Sequence, residues 1–185
     1  MKKTFLISAI VAGLSITSLA ANAGEHTISA GYAQSKINIE NNNLKTSLKG
    51  FNVKYRYEFN EQFGLISSFT HTGYNTSYDD PLGYHGGSLD YNSITIGPSY
   101  RFNEYISAYA LIGAGVGKAS NTEHIRISKY NSILSFNDDT KTAVAYGAGV
   151  QFNPLPNVAI DASYEYTKLD SINLGTWVLG VGYRF

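Results

Sequence analysis

Lys54, Arg56 and Glu58 occupy alternate positions in one extended stretch, and Arg101, Asp161, Glu165 and Arg184 recur at alternate positions in others. Side chains two residues apart in a strand share a face. A closed sheet would therefore gather four positive and three negative groups on one side of its wall. Two kinds of chemistry fit such a set. The groups could neutralise one another as a hydrogen-bonded, ion-paired interior, the expected outcome for charges enclosed in a narrow space. They could instead line a polar ion path or form an acid/base site.

Other reactive groups are not arranged for catalysis. His26, His71, His85 and His124 come without H-E-x-x-H metal spacing, and no serine lies in a G-x-S-x-G turn. Gly113 to Lys118 (GAGVGK) lacks the four-residue spacer of a phosphate-binding loop, and Ala119 stands where Ser or Thr is required. No enzyme activity, metal or cofactor is expected. There is also no Cys, hence neither a disulfide nor a thiolate site.

The elements that hold these residues are strands. Alternating polarity marks eight segments: Thr27–Lys36, Ser47–Phe59, Phe63–Tyr74, Tyr91–Phe102, Tyr105–Lys118, Thr142–Phe152, Val158–Lys168 and the terminal strand ending at Phe185. Ser47–Phe59 is the clearest, with Phe51, Val53, Tyr55, Tyr57 and Phe59 against Asn52, Lys54, Arg56 and Glu58. In the last strand Trp177, Leu179, Val181, Tyr183 and Phe185 share a face opposite Gly180, Gly182 and Arg184. Such an apolar face is an aggregation hazard in water and suits a wall with one side in lipid. Pro98 interrupts its strand, which suggests a bulge or irregular pair there. The inward glycines, including Gly113, Gly115, Gly117, Gly147 and Gly149, permit close packing or leave room for long charged side chains opposite.

Residues 1–23 read as a cleaved secretory signal: Lys2 and Lys3, an apolar stretch from Thr4 to Leu19, and Ala21-Asn22-Ala23 before Gly24. Residues 24–185 then form one domain. Cleavage removes two lysines and no carboxylate, leaving a net charge of about −2 and no basic field for nucleic acid. Only 15% of the chain is charged while 14% is aromatic, including 15 Tyr, which fits aromatic belts at two membrane interfaces. The expected fold is all-β: an eight-stranded antiparallel up-and-down transmembrane β-barrel, closed because lipid leaves no partner for a free sheet edge. A soluble periplasmic β-sandwich is the alternative.

Tight turns at Asn60–Gln62, Asn103–Glu104 and Asn153–Asn157 should face the periplasm. Longer connections at about Ile37–Thr46, Asn75–Asp90, Ala119–Lys141 and Leu169–Asn173 should face outward and carry function. Tyr78, Tyr84 and His85 in one, and His124, Arg126, Lys129 and Tyr130 in another, supply amphipathic contact area for a partner. Alternatively the tyrosines belong to the outer aromatic belt and the basic groups bind lipopolysaccharide phosphates.

Gly31-Tyr32-Ala33-Gln34-Ser35, Lys49 to Phe59 (KGFNVKYRYEF), Gly97 to Arg101 (GPSYR), and Gly175-Thr176-Trp177 through Gly182-Tyr183-Arg184-Phe185 together resemble the Ail/OmpX/PagC/Lom family of enterobacterial outer-membrane proteins. The resemblance spans the mature chain and implies an eight-stranded barrel with protruding extracellular hairpins; OmpX-type barrels are the general example of an interior that side chains fill. It also implies recognition by the outer-membrane assembly machinery through Gly180, Tyr183 and Phe185, with Val178 departing from that signal's polar first position. Activities implied are host-cell adhesion, invasion or resistance to complement, through loops that bind host matrix or complement-regulatory proteins. A structural outer-membrane role without a dedicated ligand, or a lipid-modifying enzyme, are the other readings. A monomer surrounded by outer-membrane lipid and lipopolysaccharide is expected.

Overall fold

The computed structural model describes residues 25–39, 46–80, 83–128, 131–170 and 172–185, with side chains at all of these except 39, 77–80, 83–85, 121–128 and 131–138. The proposed signal at 1–23 lies outside the described residues. The described chain is built from β1 (Glu25–Ile39), β2 (Ser47–Glu58), β3 (Phe63–Asp80), β4 (Gly83–Arg101), β5 (Ile106–Ser128), β6 (Asn131–Leu155), β7 (Val158–Leu169) and β8 (Ile172–Arg184). Each strand pairs antiparallel with the next, and β8 pairs with β1, so the sheet closes on itself.

Alternation along each strand decides which side faces the lumen. In β2, Asn52, Lys54, Arg56 and Glu58 are buried while Phe51 and Val53 are exposed. In β8, Trp177, Leu179 and Val181 are 60–66% exposed while Thr176 and Val178 are buried. The interior is polar and the exterior apolar, the inverse of a water-soluble protein and the arrangement a lipid-embedded barrel requires. β5 follows the same rule: Ile106, Ala110 and Ile112 face out, and Ser107, Tyr109 and Leu111 face in.

Two of the tight turns share one construction. Asn60 Oδ1 accepts from the backbone N–H groups of Gln62 (3.0 Å) and Phe63 (2.7 Å), and Asn103 Oδ1 accepts from those of Tyr105 and Ile106 (both 2.9 Å). These are Asx turns, in which a short polar side chain replaces a backbone acceptor. Aromatic rings gather at this end of the barrel: Tyr57 with Phe59, Phe63 with Tyr100, and Tyr100 with Phe102, each pair at 5.1 Å. Another aromatic group lies nearer the opposite end, with Tyr146 by Tyr166 at 5.4 Å and Tyr164 by Trp177 at 4.7 Å.

Asn75–Asp90 and Ala119–Lys141 are the protruding hairpins that the resemblance implies, with strands that run further than alternation marked: β3 and β4 pair out to Asp80 and Gly83, and β5 and β6 out to Ser128 and Asn131. Polar residues there are free to form strands because, beyond the lipid, pairing needs no apolar face. Leu169–Asn173 contracts to residues 170–171 between paired Leu169 and Ile172, with Asp170 at φ 58°, a left-handed conformation that Asp tolerates. The turn at Asn153–Asn157 is also shorter, because β6 runs on to Leu155 through a register shift after Phe152.

Pro98 makes no bulge. It is the register partner of Leu65 on β3, and on its other side the register with β5 passes unchanged from Ile96↔Ile112 to Ser99↔Tyr109. Gly97 and Pro98 are skipped in that ladder, as expected where one residue has no N–H to donate.

Candidate functional site in the lumen and on the hairpins

The charged residues of the lumen separate into levels. Deepest is a group in which Lys54 Nζ on β2 crosses to β7, donating to Asp161 Oδ1 (2.5 Å) and Ser163 Oγ (2.9 Å). Tyr109 on β5 donates its hydroxyl to Asp161 Oδ2 (2.7 Å), so both carboxylate oxygens are engaged. Nearer the turn end, Glu58 is shared by three arginines. Arg101 grips it with Nε on Oε1 and Nη2 on Oε2, both 2.8 Å, a bidentate fork. Arg56 Nη2 donates to Oε1 (2.7 Å), and Arg184 Nε to Oε2 (3.2 Å). Arg56 Nη1 also reaches Gln151 Oε1 (2.7 Å). Arg184 lies at the rim, where it pairs as well with Glu25.

Glu165 occupies a third level, accepting from the Tyr91 hydroxyl (2.7 Å), which lies 2.6 Å from Thr167 Oγ1. Ser35 Oγ is 2.8 Å from Thr72 Oγ1 and 2.7 Å from Thr176 Oγ1. Composition does not single out Tyr91 and Tyr109, because it assigns tyrosines to interfacial belts. Their position in the alternation carries the signal, since each lies two residues from a buried serine, Ser93 and Ser107 respectively.

This arrangement binds side chains to one another. Each carboxylate meets donors from other strands, and β2, β4, β5, β7 and β8 are tied across the lumen. Arg101→Lys should lose the fork while retaining the charge, costing about 1.5–3 kcal/mol, the range for hydrogen bonds to a charged group. Urea unfolding in detergent, followed through the single Trp177, measures it; a midpoint equal to wild type would show that the fork contributes nothing.

On the hairpins, the backbone of Tyr78 is the register partner of His85, and that of Tyr84 pairs with His124 on the next strand. Arg126 is the partner of Ser132, just before a register shift. Their side chains, and Lys129 and Tyr130 entirely, lie outside the described residues. At the base of these hairpins Lys141 Nζ bonds Asp170 Oδ2 (2.9 Å), and that hydrogen bond holds the Asp170 carboxyl below its usual range. At the opposite end, Phe185 exchanges both backbone hydrogen bonds with His26 (2.9 Å each), and the two rings stack at 5.7 Å. Tyr183 is exposed on the outer face, while Gly180 faces Gly31 across the β1–β8 seam.

A family model described as Enterobacterial Ail/Lom protein matches residues 1–185. The attachment invasion locus protein of Yersinia enterocolitica is 52% identical over 188 residues, covering 100% of both chains. Outer membrane protein X of Escherichia coli strain K12 is 40% identical over 191 residues, again covering 100% of both. The crystal structure of Ail from Yersinia pestis, in complex with the heparin analogue sucrose octasulfate, is 48% identical, covers 89% of this chain and 100% of that one, and gives a TM-score of 0.77. A closed barrel with a polar lumen and apolar wall, matched along its whole length, makes this chain a bacterial outer-membrane protein belonging to the enterobacterial Ail/Lom family.

Proposed function

We propose that the barrel is a non-enzymatic anchor whose β3–β4 and β5–β6 hairpins attach the bacterium to host surfaces, with resistance to serum as a second outcome of the same contacts. The observation that carries this reading is full-length similarity to a protein named for attachment and invasion, joined to hairpins that extend β3 to β6 beyond the other strands. A related Ail is known in complex with a heparin analogue, so a sulfated host polysaccharide is the ligand chemistry proposed first, and host matrix or complement-regulatory proteins the next. Arg126 and Lys129 are the candidate contacts for sulfate, and Tyr78, Tyr84, His85 and Tyr130 for apolar and hydrogen-bonding area.

The remaining roles follow the same architecture. Residues 1–23 direct export, and Gly180, Tyr183 and Phe185 present the last strand to the assembly machinery. The exposed lysines Lys36, Lys49 and Lys168 lie towards the hairpin end, where lipopolysaccharide phosphates are the natural counter-charge. The protein acts as a monomer.

Otherwise non-adherent bacteria displaying the intact protein should attach to cultured human cells, and added heparin should compete. Shortening 75–90 and 119–141 at matched surface levels should abolish attachment. Equal attachment by intact and shortened proteins would overturn the adhesive reading and move weight to serum resistance, then to a structural role.

A further inference from the structure

The polar lumen ends abruptly towards the hairpins. Ile37, Leu48, Tyr91, Leu169 and Leu174 form one buried cluster, with Leu89 and Ala143 packed against it. These residues come from β1, β2, β4, β6, β7 and β8, so the cluster is a disc lying across the barrel. Glycines on β5 let it reach the far wall: a Cβ at Gly117 would lie 2.8 Å from Leu169 Cδ1, and one at Gly115 would lie 2.7 Å from the Tyr91 hydroxyl oxygen. Side chains from β7 and β4 therefore fill the space beside β5.

The two sides of the disc differ. On its turn side, eight buried polar side-chain atoms have no protein hydrogen-bond partner among the described residues, including Arg56 Nε, Gln151 Nε2, Asn153 Oδ1 and the hydroxyls of Ser93 and Thr95. All eight belong to residues between the disc and the turn end. A buried donor or acceptor without a partner destabilises the fold, and ordered water is the ordinary remedy. The turn end opens as a cavity of about 920 Å³ lined by Glu58, Arg101 and Arg184, so water reaches the lowest ion-paired level. On the hairpin side, a recess of about 240 Å³ reaches the disc itself, edged by Lys118, Asp139, Lys141 and Asp170.

We propose that the lumen is a hydrated blind channel, filled with water from the periplasmic mouth up to Tyr91 and closed to the outside by this apolar disc; the other buried apolar cluster, Ile66, Tyr109 and Leu111, comes from β3 and β5 alone and does not span the barrel. Small apolar spaces stay dry, and an apolar constriction blocks water and ions by dewetting. The ion-paired levels below the disc hold the wall together but do not exclude water. Impermeability then resides in one layer of side chains, not in the full length of the filled interior.

Two measurements test this. In liposomes enclosing a pH-sensitive dye, wild type should dissipate a proton gradient no faster than protein-free vesicles, whereas Leu48→Ser combined with Leu174→Ser should do so several-fold faster. A correctly folded double variant, recognised by its heat-dependent gel mobility, that stays as tight as wild type would overturn the proposal, as would a leaky wild type. In wild-type protein in bicelles, magnetisation transfer from bulk water should reach the Gln151 side-chain amide and Arg56 Nε–H but not the methyl groups of Leu48 or Leu174. Absence of transfer to both polar groups, or transfer to the methyls, would overturn it even if the double variant failed to fold.

Discussion

Glu58→Ala is expected to lower the stability of the folded barrel by about 3–5 kcal/mol, the cost of breaking a buried ion pair by removing one partner. The carboxylate is 3% exposed and is the common acceptor for Arg56, Arg101 and Arg184. Without it, three guanidinium groups face one another, offset by Glu25 at the exposed rim and by Asp161 acting on Arg56. Their mutual repulsion adds to the unmade hydrogen bonds. Glu58→Gln retains the shape and two acceptor lone pairs but removes the charge, and should fall between alanine and wild type. Urea unfolding in detergent, read by Trp177 emission and by gel mobility of unheated samples, gives the three midpoints. A Glu58→Ala midpoint within the spread of outward-facing controls would mean that water, not Glu58, compensates the arginines.

Gly180→Val should impair closure of the barrel. Gly180 and Gly31 are register partners across the β1–β8 seam, where the first and last strands meet. A Cβ at Gly180 would lie 2.9 Å from the Ala30 carbonyl oxygen and 3.1 Å from Gly31 Cα, both backbone atoms that cannot turn aside. Valine adds two methyl groups to that contact, and overpacking of this kind costs about 1–3 kcal/mol. Refolding the purified chain into detergent separates this packing effect from recognition of the last strand by the assembly machinery. The expected result is a reduced heat-modifiable fraction both in detergent and in cells, with Val181→Leu, on the 66%-exposed outer face of the same strand, leaving both unchanged. Normal refolding in detergent with failure in cells would assign Gly180 to recognition alone and sink the packing argument.

Glu58 marks how far local pattern reaches. That it points inward follows from its place between Arg56 and Phe59; that it is shared by three arginines does not. Pro98 is legible in part: its missing N–H signals an irregular pair in one ladder, but only the neighbouring strand shows that the register does not shift there. The outer strand ends are less legible, since polar, Gly-containing stretches such as Asn75–Asp90 carry no alternation from which to infer how far pairing extends.

The barrel wall is written in the chain itself: eight alternating segments, which side of each faces lipid, and the closure those faces require. Period-two alternation is a local property, so each strand declares its inner and outer face without reference to any other. The levels within the lumen arise only in the folded barrel: Lys54 with Asp161 across 107 residues of chain, Tyr91 within the apolar disc, and Gly180 against Gly31. Those meetings depend on the stagger between strands when the barrel closes, a collective quantity fixed by the number of strands and their shear. No single segment encodes it.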